Sequence, residues 1–217
     1  MSRPCWTGET TLMVWFWENL INFLYRISLF NLIQTLIINK LNWPQQKKYL
    51  FVDLWVMGHT LLSIVAILVV RYGSSSILKY ILLYYGIWRT FEIFIYQIKI
   101  TIIDAYKQNA QVSSYRRSVL SLIHNFMEII FWFTASYLLL MNWFDVADRK
   151  FSLIQAFYMS FVTMTTFGSP NFNITNSPAM ILIMLQSVTG LLLTLISLAR
   201  FISLLKMPKS NDSTESS

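Results

Sequence analysis

An all-α, polytopic membrane protein is the fold class that this sequence predicts, and three observations predict it. The 217-residue chain is 55% hydrophobic and 12% charged, whereas soluble domains average about 25% charged residues. Four apolar runs, residues 51–70, 77–100, 118–141 and 178–205, each reach the ~20 residues that a helix needs to cross a bilayer core. Between the last two runs lies a shorter apolar stretch, residues 157–170, that ends in a crowd of Thr, Gly and Pro. The expected architecture is four transmembrane helices, a re-entrant helix and loop before the last of them, and interfacial helices at the N-terminus.

The same composition excludes other classes. A formal net charge of +7 would suit nucleic acid, but the basic residues are scattered between apolar runs, as membrane topology requires. No nucleic-acid partner is expected. Cys5 stands alone, so no disulfide framework or Cys-based metal site forms within one chain. His59 and His124 lack metal-ligand spacing. No paired carboxylates, nucleophile–base pattern or phosphate-cradling glycine loop appears. Neither enzyme chemistry nor a bound cofactor is expected. A cleavable signal peptide is not expected either, because the first apolar stretch runs past Glu18 and Arg26 without a small-residue cleavage site.

Taken in order, residues 1–48 form the N-terminal unit. Glu18, Asn19, Asn22 and Arg26 share one helical face, and Asn31, Gln34, Thr35, Asn39 and Asn42 share roughly the opposite one, at 100° per residue. Two amphipathic helices with a break near residues 28–30 fit this pattern. They would lie in the interface, which suits Trp15, Trp17, Tyr25 and Trp43. The alternative for residues 11–43 is a first spanning helix whose Glu18 and Arg26 face other helices. Residues 49–116 form a two-helix membrane unit. Its first span has Asp53 near one end and Arg71 at the other, residues 72–76 make a tight turn, and the second span carries Arg89 and Glu92 at mid-depth. Charges there are costly and normally face protein or water. Three residues apart, Arg89 and Glu92 can pair on one face, with Asp53 or His59 as further partners. Residues 101–118 read as a polar, partly helical connector. In the next span His124 and Glu128 stack at i and i+4, as a polar contact to the neighbouring bundle. Residues 142–150 are an exposed polar loop, residues 178–205 a last helix opened by Pro178, and residues 207–217 a Ser-rich disordered tail.

Residues 157–170 carry the functional signal. Residues 151–166 are too short and interrupted to span, and Gly168 and Pro170 cannot continue a helix. Irregular backbone at membrane depth is tolerated only where it is buried in protein or lines a watery path. Apolar helix, short helix, Thr-Thr-x-Gly turn and apolar helix make the pattern of a pore loop, whose carbonyls coordinate ions. Thr165-Thr166-Phe167-Gly168-Ser169-Pro170 resembles the Thr-Thr-Val-Gly-Tyr-Gly filter of the tetrameric potassium-channel-like pore domains. The spacing from Gly168 to Gly190 is similar to that between the family's first filter glycine and its inner-helix hinge. The resemblance runs from about Ser118 to Leu205. It implies an outer helix, pore helix, filter and inner helix over residues 117–206, a homotetramer, and coordination by Thr165, Thr166, Phe167, Gly168 and Ser169. It makes Gly190 the gating hinge, with close packing against the outer helix as the alternative reason for that glycine.

The filter departs from the family pattern at Ser169, Pro170 and Asn171. Pro170 holds φ near about −65°, a backbone shape unlike that of the second filter glycine. Ser169 lacks the aromatic ring that braces the family's filter, and Asn171 removes an acid at the mouth. A cation pathway that admits potassium and discriminates weakly against sodium is therefore expected, with permeant monovalent cations as its cargo. With the filter facing out, the inner segments hold Lys40, Lys47, Lys48, Lys99, Lys107, Arg116, Arg117, Lys206 and Lys209, and the outer ones only Arg71, Lys79, Arg149 and Lys150. This obeys the positive-inside rule. It sets the C-terminus, and the N-terminus if the first segment is interfacial, in the cytoplasm of a multi-pass cell-membrane protein. Membrane lipid and a cytosolic regulatory partner are the other contacts expected. The competing function is a pore-like scaffold or sensor that docks a cytosolic partner and conducts rarely or never, for example in a bacterial defence or stress-response system.

Overall fold

The computed structural model describes residues 12–39, 43–104, 115–144, 152–168 and 176–204. Their secondary structure is helical throughout, joined by short links. The expectations for the tail, for most of the 101–118 connector and 142–150 loop, and for Ser169, Pro170 and Asn171 fall outside the described residues.

Helix α1 (Leu12–Ile27) ends where Ser28 adopts an extended conformation and accepts a hydrogen bond from Asn31 N–H, capping α2 (Leu29–Ile33). The break expected near residues 28–30 therefore falls at Ser28, and a Ser cap explains it. A π-helical turn, Gln34–Asn39, prolongs α2. Helix α1 turns Ile21 against Ile95 and Ile103, and leaves Trp15, Phe16 and Trp17 about half exposed.

Helix α3 (Gln45–Tyr72) and α4 (Ser76–Ile98) form a hairpin linked by residues 73–75, with Ser75 capping α4 through Leu78 N–H. A π-helical turn, Lys99–Ile103, ends α4. Helix α5 (Tyr115–Leu139) is the hub and packs on α3, α4, α6 and α7. Its Ile129, Ile130, Trp132, Phe133 and Tyr137 form the centre of the apolar core. Helix α3 packs more extensively on α5 than on its hairpin partner α4. Two polar ties fasten the ends of these helices. Arg117 of α5 donates to Asp53 Oδ1 at 2.7 Å and to Tyr49 O at 2.6 Å on α3. Arg200 of α7 (Ser177–Leu204) donates to Ser118 Oγ at 2.7 Å and to Gln97 Oε1 at 3.3 Å.

Among the described residues three helices, α3, α5 and α7, are long and apolar enough to cross a membrane. Helix α4 has 23 residues, ample length at about 1.5 Å each, but Lys79, Arg89 and Glu92 interrupt its apolarity. The protein is an all-helical, multi-pass membrane protein. Between α5 and α7 sits α6 (Leu153–Thr165), whose 13 residues reach only about 20 Å of the ~30 Å hydrocarbon core.

Candidate functional site

Helix α6 is sharply bounded at both ends. Ser152 Oγ accepts from Gln155 N–H at 3.1 Å and Gln155 Oε1 from Ser152 N–H at 2.8 Å, a complete capping box. At the other end Thr166 N–H turns back to Thr163 O and Phe167 N–H to Val162 O. That is a Schellman ending, which normally places glycine in the left-handed position. Here Thr166 occupies it, at φ 57°. Thr165 spends its hydroxyl on Phe161 O at 2.7 Å. Thr166, Phe167 and Gly168 lie exposed, Phe167 at 84%. Gly168 has φ 154°, a region that side chains rarely enter.

Behind this exposed end lies a buried polar network that sequence reasoning missed. The Tyr137 hydroxyl of α5 donates to Gln186 Oε1 of α7. Gln186 Nε2 donates to Ser160 O and Ser160 Oγ of α6, both at 2.9 Å, and the Ser160 hydroxyl donates to Ile130 O of α5 at 2.8 Å. Tyr137, Gln186 and Ser160 have no exposed surface. Gln186 and Ser160 were visible as polar residues within apolar runs, which is signal enough to ask for partners. One turn further along both helices, Gly190 abuts Met164. A Cβ on Gly190 would stand 2.5 Å from Met164 O. Close approach of α7 to α6 therefore gives this mid-helix glycine a packing role, and the neighbour is the short helix rather than α5.

The buried charges form a second centre. Arg89 and Glu92 meet at 2.8 Å, and Arg89 Nε also donates to Glu128 Oε1 at 2.8 Å. All three side chains are nearly or fully buried. Trp132 Nε1 donates to Glu128 Oε1 at 3.3 Å, and Phe30 N–H to Glu92 Oε1 at 2.7 Å. The cluster thus joins α2, α4 and α5. Neither Asp53 nor His59 joins it. Asp53 pairs with Arg117 instead, and His59 donates from Nδ1 to Trp55 O, which leaves Nε2 to accept from the Tyr85 hydroxyl. His124 is also apart, its Nδ1 bonded to Leu120 O one turn back, so its stacking with Glu128 gives them no common partner. A small cavity beside the cluster is lined in part by Ser28, Trp55, Arg89, Glu92, Ser121 and Asn125. Trp55 Nε1 and Asn125 Oδ1 are buried there without partners, which suits bound water. Among the described residues no His, Cys, Asp and Glu gather as metal ligands.

Two apolar helices with a short helix clasped between them, ending in an exposed Thr-Thr-Phe-Gly turn, define the pore-domain class of membrane protein. The family model described as an ion channel matches residues 119–207, a segment that contains all but the first turn of α5, and α6 and α7 whole. This part of the chain, about two-fifths of its 217 residues, is a potassium-channel-like pore domain. No curated protein and no solved structure matches the chain.

Proposed function

We propose that the chain is one of four identical subunits of a cation channel, passing potassium and, with weak discrimination, sodium down their gradients. The observation that carries this reading is helix α6. It is too short to cross, is held between two apolar helices, and ends in an exposed Thr-Thr-Phe-Gly turn inside the segment that matches the ion channel family. In this reading α3, α4, α5 and α7 cross the membrane, and α6 re-enters with its C-terminal dipole end toward the permeation axis, where negative partial charge favours cations. Thr165, Thr166, Phe167, Gly168 and Ser169 contribute carbonyls, and Thr166 also a hydroxyl. One chain supplies a quarter of such a ring.

Pro170 and Ser169 leave the outer half of the filter wider and wetter, so fewer fixed dipoles replace the hydration shell of the ion. Residues 1–48 then lie at the cytoplasmic interface, residues 49–116 support the pore domain of residues 117–206, and both termini are cytoplasmic, in keeping with the lysine and arginine asymmetry. Gly190 is the bending point of α7. Reversal potentials of purified protein in planar bilayers, with potassium on one side and sodium on the other, test the reading. A potential between zero and the ideal potassium value is expected. A value near the ideal one would overturn the weak discrimination, and a chloride-driven potential or no current at all would overturn the cation channel.

A further inference from the structure

Every hydrogen in the Tyr137–Gln186–Ser160 network has a single destination. The phenol proton goes to Gln186 Oε1, the two carboxamide protons to Ser160 O and Oγ, and the serine proton to Ile130 O. A flipped carboxamide would set its oxygen against the Ser160 carbonyl, so the network also fixes the orientation of Gln186. Thr163, one turn along α6 from Ser160, has a buried hydroxyl that makes no hydrogen bond of normal geometry, yet it lies near enough to the Tyr137 hydroxyl to interact with it. Buried networks of this kind are rigid when every member is satisfied.

The network is in register with a second contact. Gln186 and Gly190 are four apart on α7, as are Ser160 and Met164 on α6, and they meet in pairs, carboxamide on serine and bare Cα on backbone. Two contacts one turn apart prevent α6 from sliding or rotating against α7. The turn they hold runs directly into Thr165–Gly168. We propose that Gln186 is the positioning residue of the filter: through Ser160, with Tyr137 as its backstop, α7 sets where α6 ends and therefore the spacing of the filter carbonyls. Movement of α7 at the level of Gln186 is then passed to the filter, whatever bend Gly190 makes further along the helix. The proposal rests on the channel reading above, but its structural half can be measured without conduction.

Full-length protein in liposomes, as wild type, Gln186→Leu and Tyr137→Phe, is compared by two measurements. Hydrogen exchange of the amides of residues 161–168 is expected to rise roughly tenfold in each variant, the effect of one lost buried hydrogen bond, with exchange in α3 and α4 unchanged. The potassium-to-sodium permeability ratio is expected to shift severalfold, which a purely structural role would not produce. Unchanged exchange in residues 161–168, or an increase spread equally over α3 and α4, overturns the proposal. So does an unchanged permeability ratio. If wild type passes no cation current, the channel reading fails, and the exchange result alone decides the brace. Should Gln186→Leu fail to fold, Tyr137→Phe, which removes one oxygen atom, carries the test.

Discussion

At Thr166 a β-branched residue occupies a left-handed backbone position, which costs about 1–2 kcal/mol relative to glycine. Strain of that size at the tip of a candidate filter has a use, since threonine brings a hydroxyl that glycine lacks. Thr166→Gly is accordingly expected to raise stability by about 1 kcal/mol, seen as a higher midpoint of thermal unfolding in detergent, while eroding potassium-over-sodium preference in the bilayer assay. A fall in the midpoint would show the backbone to be unstrained. Gly190 gives the opposite sign from the one helix propensity suggests. Alanine in a helix interior gains about 1 kcal/mol over glycine, but here the new Cβ would stand 2.5 Å from Met164 O. Overpacking costs about 1–3 kcal/mol, so Gly190→Ala should unfold at lower temperature, and a loss of gating in that variant would report packing as much as bending. The sequence showed that this mid-helix glycine needed a reason. It did not show which one, because Met164 is distant along the chain. The strain at Thr166 was illegible for a related reason: a reader of the sequence puts the left-handed residue of a helix ending at a glycine.

At the level of helices, one cation sits between two carboxylates where α2, α4 and α5 meet. The Arg89–Glu92 pair was legible from its spacing, since residues three apart on a helix are neighbours. The Glu128 partner was not, because it depends on how α4 packs against α5. The stacking of His124 on Glu128 was also readable, but a backbone carbonyl one turn back takes up the imidazole. Removing Arg89 leaves two buried carboxylates uncompensated, whereas removing Glu128 leaves a neutral pair. Arg89→Gln should therefore destabilise by about 3–5 kcal/mol and Glu128→Gln by clearly less, read as folded yield and thermal midpoint in detergent. Equal losses would mean that the net charge left behind does not govern the stability of the cluster. Gly86 belongs to the same contact between α4 and α5: a Cβ there would meet the Trp132 ring at 2.5 Å, so the ring packs directly on the backbone of α4.

For the whole molecule, hydropathy alone predicted an all-helical membrane protein, because long apolar runs have few other destinations in water or lipid. Assembly was not written in hydropathy, since a face that meets lipid and a face that meets another subunit are equally apolar. The exposed row of Met180, Met184, Leu185, Val188, Leu191 and Leu195 on α7 is of that ambiguous kind. Chemical crosslinking in liposomes should yield a ladder ending at four chains, and a ladder ending at two would remove the four-fold filter from consideration. In the proposed topology the buried charge cluster also has a bearing on biogenesis. Synthesis delivers Arg89 to the membrane with its α4 partner Glu92 but 39 residues before Glu128, and a charge such as Arg89 at the centre of an inserting helix costs ~2.5–3.5 kcal/mol when unpaired. Helix α4 is thus a poor substrate for the insertion machinery by itself and a much better one beside α5. A nascent chain released before residue 128 would be left with α4 at the bilayer surface, exposed to the proteases that patrol failed insertions.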